Sequence, residues 1–176
     1  MFSLAKARNV RLMGFDVDGV LTDGHLYFSA EGDSLKGFNS RDGLGMVKLL
    51  APAGIRLAII TGRKSALVEQ RATNLGIDLV FQGVEDKRAV MAELLAREGL
   101  DFTQAGYMGD DVVDLAVMEA CGFAATVSDG HPRIKQIAHY VAHQPAGLGA
   151  AREVCELILR AQNKLDAALA PYLSPA

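Results

Sequence analysis

The stretch VRLMGFDVDGVLTDG, residues 10–24, joins an apolar run typical of a buried strand to three closely spaced acids. Asp16 and Asp18 follow the run one residue apart, and Asp23 comes soon after. Open α/β sheets bind ligands at the carboxyl ends of their strands, so this position predicts a binding edge. If the extended conformation continues past Asp16, Asp16 and Asp18 point to one side and repel, unless a cation or a shared proton compensates. From this stretch alone, a helix cap beside a solvated turn acid remains an alternative.

The rest of the chain repeats the same alternation of short apolar runs and amphipathic helical stretches. Glycines at 54, 76 and 99 stand where helix C-caps are expected, and Ser65 and Asp86 stand where N-caps are expected. This alternation predicts an α/β fold: a Rossmann-like three-layer sandwich around a parallel sheet. The predicted strands are VRLMGFD, IRLAIIT (55–61), DLVFQ, AGYMGD, GFAATV and AHYVA.

Two segments depart from this alternation. Residues 24–39 carry apolar side chains on both sides of the turn-like SAEGDS, which predicts a β-hairpin inserted after the first strand. An isolated hairpin is marginal in water, so we expect it to pack on a neighbouring subunit. Residues 149–176 predict one long C-terminal helix followed by a short tail. No linker or repeat interrupts residues 1–176, so a single domain is expected.

The composition narrows the possible classes of protein. The chain has 176 residues, of which 50% are hydrophobic and 22% are charged, so disorder is not expected. Its formal net charge of −3 argues against a nucleic-acid partner. No apolar run approaches the roughly 18–20 residues of a membrane span, and no signal peptide is recognised. Cys121 and Cys155 lack metal or redox spacing and predict reduced core thiols. We expect a soluble, cytoplasmic protein with no membrane partner.

Further chemical groups follow three other strand or helix boundaries. Thr61 ends the strand of AIITGRK, Lys87 opens the helix after VED, and the acids of GDDVVD follow another strand. Each has a simple explanation by itself: Thr61 as a helix cap, Lys87 as a solvated surface lysine and Asp111 as the start of a helix. Together they predict phosphoryl transfer assisted by Mg²⁺, because that chemistry needs these groups at one sheet edge. The acids of the last motif are Asp110, Asp111 and Asp114.

Each residue type fits a step of that chemistry. Mg²⁺ prefers hard oxygen ligands, usually one or two carboxylates with waters and a substrate phosphate. Its charge allows the Asp16 carboxylate to approach and attack a phosphoryl group. Asp18 suits the acid that protonates the leaving oxygen and then the base that activates water. Thr61 and Lys87 can supply fixed donors to the phosphoryl oxygens.

With these four motifs in this order, the chain resembles the haloacid dehalogenase (HAD) superfamily of aspartate-nucleophile phosphatases. The resemblance implies that Asp16 is the nucleophile and Asp18 the acid/base. It also implies a Mg²⁺ site made by the Asp16 carboxylate, the Asp18 backbone carbonyl and Asp110, with Asp111 and Asp114 as supporting acids. The intervals from Asp18 to Thr61 and from Thr61 to Asp110 leave no room for a cap domain. The chain therefore resembles the capless subclass, which commonly closes its active sites by oligomerisation.

Within that superfamily, DGVLTDGHLYFSAEGDSLKGFNSRDGLGMVKLL, ITGRKSALVEQRATNLGI, FQGVEDK and GLGAAREVCELIL are similar to the 3-deoxy-D-manno-octulosonate (Kdo) 8-phosphate phosphatases. This resemblance implies hydrolysis of Kdo 8-phosphate through an aspartyl-phosphate in lipopolysaccharide precursor synthesis. It implies a homotetramer whose hairpins pack between subunits. It also implies that Arg71 binds the sugar acid's carboxylate from an adjacent subunit. Arg63 stands where the related nonulosonate 9-phosphate phosphatases carry Glu, and Arg41 is a further candidate. Ordinary helix-surface charge is the alternative for Arg63 and Arg71.

Three other functions fit parts of the pattern. The first keeps the chemistry but acts on a nonulosonate 9-phosphate or on a broad range of sugar phosphates. The second is a receiver-type signalling domain, but there the acidic pair precedes the phosphoaccepting Asp and the Lys comes last. Here the predicted nucleophile comes first and Lys87 precedes GDD, which argues against a receiver. The third is a catalytically silent scaffold, which the complete set of reactive side chains disfavours.

Overall fold

The predicted strands are all present in the computed structural model, which describes residues 2–173 of the chain. In chain order, the strands are β1 (Leu12–Phe15), β2 (Tyr27–Ser29), β3 (Gly32–Leu35), β4 (Arg56–Thr61), β5 (Leu79–Gln82), β6 (Ala105–Met108), β7 (Phe123–Thr126) and β8 (Tyr140–Val141). Six of them form one parallel sheet in the order β5-β4-β1-β6-β7-β8. Because β1 lies at the centre, its carboxyl end is flanked by the ends of β4 and β6.

Helices cover both faces of this sheet. They are α1 (Phe2–Ala7), α2 (Ser40–Leu44), α3 (Ala66–Leu75), α4 (Lys87–Glu98), α5 (Leu115–Ala120), α6 (Pro132–Ile137), α7 (Ala150–Ala161) and α8 (Leu165–Leu173). Buried side chains of α1, α3 and α7 belong to one core cluster, and those of α4, α5 and α6 belong to the other. The three-layer α/β prediction is therefore confirmed.

The strand residues alternate between these two clusters. In β4, Leu57 and Ile59 join the first cluster, whereas Ala58 and Ile60 join the second. This alternation is the period-two geometry of a strand. Since both faces are covered, the central strands are apolar throughout, which is why they appear in the sequence as continuous hydrophobic runs.

The predicted helix ends are also found. Gly54, Gly76 and Gly99 all follow helical segments in the left-handed conformation. Asp86 caps α4 by accepting a hydrogen bond from the Ala89 amide at 2.9 Å. Ser65 occupies the N-cap position of α3, but its side chain makes no capping hydrogen bond. The helix that begins with α2 continues as a π-helical segment, Gly45–Leu50, and a 3₁₀ turn, Ala51–Ala53.

The inserted hairpin is formed by β2 and β3, which pair antiparallel with a register shift between Tyr27 and Phe28. Several of its apolar side chains are exposed, with Phe28 61% and Leu35 60% accessible. No cap domain is inserted among residues 2–173, as predicted. Phe38, which the sequence pattern grouped with the hairpin, lies after β3 and packs partly buried against the first core cluster.

The prediction of one long C-terminal helix is wrong. The chain leaves α7 at Gln162, and Asn163 adopts a left-handed conformation with φ 55° before α8 begins. The Asn163 amide donates to the Arg160 carbonyl and the Lys164 amide donates to the Leu159 carbonyl, the pattern of a Schellman motif. Asparagine tolerates this conformation better than other residues with side chains, so the turn forms without glycine. Residues 174–176 of the predicted tail lie outside the described residues.

Helix α7 is attached to early parts of the chain at both ends. The Arg152 amide donates to Asp42 Oδ1 at 2.8 Å, and Gln162 Nε2 donates to the Val10 carbonyl at 2.8 Å. Between these anchors, Val154 and Ile158 are completely buried. This helix therefore closes the first core cluster against α1 and the π-helical segment.

Both cysteines are buried and unpaired, as expected of core thiols. Burial raises the pKa of Cys121 to about 12 and the pKa of Cys155 still further, so neither is a reactive thiolate at neutral pH. Within residues 2–173, no helix has the length and apolar character needed to cross a bilayer.

Candidate active site

Asp16 is fixed at the carboxyl end of β1 by contacts on its backbone and both side-chain oxygens. Its amide donates to the Met108 carbonyl at 3.0 Å, which holds it beside β6. Its Oδ1 accepts the Val17 amide at 2.7 Å, and its Oδ2 lies 2.7 Å from Lys87 Nζ. Only 6% of Asp16 is exposed. These contacts fix the orientation of the Asp16 carboxylate in the site.

Lys87 is shared between two buried carboxylates. Its Nζ lies 2.7 Å from both Asp16 Oδ2 and Asp114 Oδ1, and its side chain is 2% exposed. Burial lowers the pKa of Lys87, but the attraction of Asp16 and Asp114 outweighs this effect and raises it overall. Lys87 is therefore an ammonium at neutral pH. Its position at the first turn of α4 follows from the Asp86 cap directly before it.

Asp114 is completely buried and accepts hydrogen bonds from all sides. Its Oδ1 lies 2.7 Å from Lys87 Nζ and 3.3 Å from the Tyr107 hydroxyl. The Tyr107 hydroxyl has a single proton and also lies within hydrogen-bond distance of the Ile60 carbonyl. Its Oδ2 accepts the amides of Asp110 and Asp111, at 3.0 and 3.4 Å. Asp114 therefore shapes the loop that presents Asp110.

A cluster of three carboxylates could hold a cation. One side-chain oxygen of each of Asp16, Asp110 and Asp114 lies within 4.8 Å of the others. Gly19 passes so close that a Cβ there would lie 2.1 Å from Asp110 Oδ2, and its φ of +83° also favours glycine. The backbone after β1 can therefore approach Asp110 only because residue 19 has no side chain.

The electrostatics of this cluster favour a bound cation. Burial, followed by repulsion from Asp114, raises the pKa of Asp16 to about 6 even though Lys87 opposes the shift. Burial, followed by repulsion from Asp16 and Asp114, raises the pKa of Asp110 to about 7. A divalent cation would remove this repulsion. Hard carboxylate oxygens at one sheet edge fit Mg²⁺, with Asp16 and Asp110 available as ligands and Asp114 already occupied by protein donors.

We expect Mg²⁺ to raise the melting temperature more at pH 8 than at pH 5.5. Without metal, the folded state keeps protons on Asp16 and Asp110 to about pH 6 and 7, whereas the unfolded state loses them near pH 4. The stability that these two raised pKa values contribute to the folded state is therefore fully present below pH 4 and is lost as the pH rises through 6 and 7. Mg²⁺ needs the deprotonated carboxylates, so its stabilising effect grows over the same window. Thermal unfolding with and without Mg²⁺ measures this difference.

Asp110→Asn is the control for that experiment. The variant removes the group with the higher pKa, so the Mg²⁺-induced shift should become small at both pH values. An equal shift at pH 5.5 and pH 8 in the unmodified chain would contradict the expectation.

Asp18 does not continue the strand, so the condition for the extended geometry of Asp16 and Asp18 is not met. The backbone turns at Val17, whose carbonyl accepts the amides of residues 20, 21 and 22. Asp18 nevertheless faces the same cleft as Asp16. Its Oδ1 pairs with Lys36 Nζ, and its Oδ2 lies 3.7 Å from Arg63 Nε. Lys36 could not be predicted here from the sequence, because a lysine at the end of a hairpin strand matches no motif.

The predicted catalytic residues line one open cleft of about 360 Å³. Thr61, the last residue of β4, is buried at its floor, and Arg63 lies at its edge with its guanidinium 5.5 Å from the Phe28 ring. Four strand or helix boundaries therefore meet at one edge of the sheet. The lining residues are Asp16, Asp18, Gly19, Gly24, Thr61, Gly62, Arg63, Lys87, Asp110, Asp111 and Val113.

The other two predicted arginines lie outside the lining of this cleft. Arg71 projects from α3, with its guanidinium 5.7 Å from the Phe38 ring and Nη2 3.4 Å from the Asn39 carbonyl. Arg41 donates from Nη2 to the Leu148 carbonyl at 3.1 Å. Within one chain, only Arg63 of the three accompanies the acids.

No protein-family model matches the sequence, but individual proteins match it closely. The 3-deoxy-D-manno-octulosonate 8-phosphate phosphatase of Yersinia pestis is 46% identical over 165 residues, which are 94% of this chain and 88% of that protein. The match therefore includes the hairpin as well as the four motifs.

Solved structures show the same relationship in three dimensions. The 3-deoxy-D-manno-octulosonate 8-phosphate phosphatase of Moraxella catarrhalis, solved with a magnesium ion, a phosphate ion and Kdo, has a TM-score of 0.92 and 41% identity. The match covers 96% of this chain and 97% of that one. A Legionella pneumophila protein assigned to subfamily III A of the HAD superfamily hydrolases has a TM-score of 0.91 and 39% identity, covering 97% and 93% of the two chains.

Proposed function

Because this chain belongs to the 3-deoxy-D-manno-octulosonate 8-phosphate phosphatase family of the HAD superfamily, we propose that it hydrolyses Kdo 8-phosphate to Kdo and phosphate. The observation that carries the proposal is the 46% identity to the Yersinia pestis enzyme across 94% of the chain. The enzyme is a phosphoric monoester hydrolase with Mg²⁺ as its cofactor. We further propose that residues 1–176 act as one domain, in the cytoplasm, in lipopolysaccharide precursor synthesis.

The first half-reaction transfers the phosphoryl group to the protein. An oxygen of the Asp16 carboxylate attacks phosphorus, and the bond between phosphorus and the sugar oxygen breaks. The Asp18 carboxyl gives its proton to that oxygen, so the sugar leaves as an alcohol rather than an alkoxide. The contacts with Val17 and Lys87 that fix Asp16 support its assignment as the nucleophile.

The second half-reaction releases phosphate. Asp18, now a carboxylate, takes a proton from water as the water oxygen attacks phosphorus, and the bond to Asp16 breaks. The Asp16 carboxylate and the proton-bearing Asp18 are both restored. Their common cleft supports this division of roles between the two acids.

The remaining polar groups balance the charge of the phosphoryl group. The Thr61 hydroxyl and the Lys87 ammonium would donate to its oxygens. Asp16, Asp110 and the Asp18 backbone carbonyl would hold Mg²⁺, with Asp111 and Asp114 as supporting acids. When bound, the metal screens the negative charges of nucleophile and phosphate from each other. Asp114 meanwhile keeps Lys87 and the Asp110 backbone in place through its own hydrogen bonds.

We propose that the hairpin builds a homotetramer and that basic residues select the sugar acid. The exposed Phe28 and Leu35 support the first part, because a two-stranded hairpin with uncovered apolar side chains gains stability by packing. Arg63 would bind the substrate in its own subunit, Arg71 would reach a neighbouring site, and Arg41 is a further candidate. Light scattering of the purified chain measures the number of subunits.

We expect rapid phosphate release from Kdo 8-phosphate in the presence of Mg²⁺, and loss of that activity in excess EDTA. Returning Mg²⁺ should restore the rate, because the carboxylate loop is fixed by protein hydrogen bonds and persists without metal. The measurement is kcat/KM for phosphate release, with and without chelator. Undiminished activity in EDTA would contradict the metal requirement.

A nonulosonate 9-phosphate and simple sugar phosphates are the control substrates. The family assignment and Arg63 predict the highest kcat/KM for the octulosonate. A higher value for the nonulosonate would keep the chemistry but overturn the substrate and the role of Arg63.

A further inference from the structure

Lys36 lies directly after β3, at the end of the inserted hairpin, and its ammonium reaches the carboxylate of Asp18. The side chain of Lys36 is 2% exposed, and that of Asp18 is 19% exposed. The hairpin is thus attached to the cleft of its own chain by a contact between a buried ammonium and a partly exposed carboxyl group. A buried ammonium is costly unless its partner is well placed, so the contact fixes both groups.

The two cations beside Asp18 differ in what they can reach. Arg63 approaches Oδ2 with a side chain that is 43% exposed and lines the cleft, so it can turn toward a substrate. Lys36 contacts Oδ1 and is not among the residues that line the cleft. With a side chain this buried, Lys36 acts on Asp18 rather than on the substrate.

Asp18 has a weaker backbone framework than Asp16 and Asp114. Asp16 directly follows β1 and accepts the next amide in the chain, and Asp114 accepts two loop amides. Asp18 lies in a turn beyond the strand. Its carboxylate therefore depends on side-chain partners for its orientation, and Lys36 is the buried one.

We propose that Lys36 is a positioning residue that holds Asp18 by Oδ1 and so leaves Oδ2 to carry the proton to the leaving oxygen. The proposal rests on the role given above to Asp18 as acid/base. It makes the hairpin part of the catalytic apparatus of its own subunit, because the strand that exposes Leu35 for packing presents Lys36 at the next position. A displacement of the hairpin then displaces the acid.

Lys36→Met tests this role, because methionine keeps the length and apolar stem of the side chain and removes the ammonium. Phenyl phosphate has a leaving group with a pKa of about 10, like that of tyrosine, and needs the acid. p-Nitrophenyl phosphate has a much better leaving group and needs it less. We expect Lys36→Met to lower kcat/KM roughly 30-fold for phenyl phosphate and less than about 3-fold for p-nitrophenyl phosphate.

Lys36→Arg and Lys48→Met are the matched variants. Lys36→Arg keeps a cation at the end of the hairpin and should recover at least part of the phenyl phosphate activity. Lys48 is exposed on the π-helical segment, and its replacement should leave both aryl esters unaffected. Circular dichroism and thermal unfolding establish that each variant is folded.

Equal losses on the two aryl esters in a folded Lys36→Met variant would overturn the proposal, as would no loss on either. With Kdo 8-phosphate, the variant should lower kcat and leave KM within about 2-fold, whereas loss of a substrate contact would raise KM. The aryl esters carry no sugar acid, so their result is independent of the substrate assignment. Failure of unmodified protein on Kdo 8-phosphate would refute that assignment alone.

Discussion

Replacing Asp16 with asparagine should lower steady-state phosphate release by at least roughly 10,000-fold in a folded protein. The amide has nearly the same volume but cannot attack phosphorus or form the aspartyl-phosphate. Its oxygen can still accept the Val17 amide, and Lys87 keeps its contact with Asp114. The measurement is phosphate release at saturating Kdo 8-phosphate and Mg²⁺.

The same variant separates catalysis from stability. At pH 8 without metal, the pH lies above the raised pKa of Asp16, so its carboxylate is charged and repels Asp110 and Asp114. Removing that charge should therefore leave the melting temperature of the metal-free protein unchanged or higher. Turnover above about 1% of the unmodified rate would disprove the nucleophile assignment.

Replacing Lys87 with methionine should damage both activity and stability. The ammonium is 2.7 Å from two buried carboxylates, and without it they face each other with no protein counter-charge between them. Loss of one member of a buried ion pair typically costs about 3–5 kcal/mol, so a decrease in the free energy of unfolding of that size is expected at pH 8 without metal. Urea denaturation measures it, and phosphate release should become undetectable.

Arg88→Met is the matched control, because Arg88 is the next residue of α4 and is exposed. Its replacement should change the free energy of unfolding by less than about 0.5 kcal/mol. Adding Asp16→Asn to Lys87→Met should recover part of the lost stability by removing one of the uncompensated charges. An Lys87→Met variant as stable as the unmodified protein would contradict this account of the site.

Most of the catalytic cleft was predictable because its residues are tied to strand ends. Asp16, Thr61 and Asp110 lie at the ends of three adjacent parallel strands, and the carboxyl ends of such strands meet at one edge. Lys87 joins them through a helix whose first turn begins at the same edge. Local sequence was therefore enough to predict that these four residues meet.

Other features depended on contacts that no local pattern records. The turn at Asn163 forms in a stretch whose apolar spacing is helical throughout, and the break becomes visible only in the left-handed backbone there. Lys36 reaches Asp18 through the way the hairpin folds back, which its position in the sequence does not specify. Arg71 and Arg41 belong to helical patterns near the motifs, yet their guanidinium groups contact neighbouring backbone away from the cleft.

The anchoring of α7 at both ends has a consequence for synthesis on the ribosome. Its two anchoring hydrogen bonds join residues that are 110 and 152 positions apart in the sequence, so they form only after residues 152 and 162 have been translated. The face of the sheet beneath α4, α5 and α6 can be covered earlier, once residue 137 has emerged. On the opposite face, α1, α3 and the π-helical segment with Met46 and Leu50 can pack first, but the cluster is completed only when α7 arrives, and contacts this distant in sequence are slow to form. A chain released before residue 150 would therefore carry all the catalytic acids on an unfinished, aggregation-prone core.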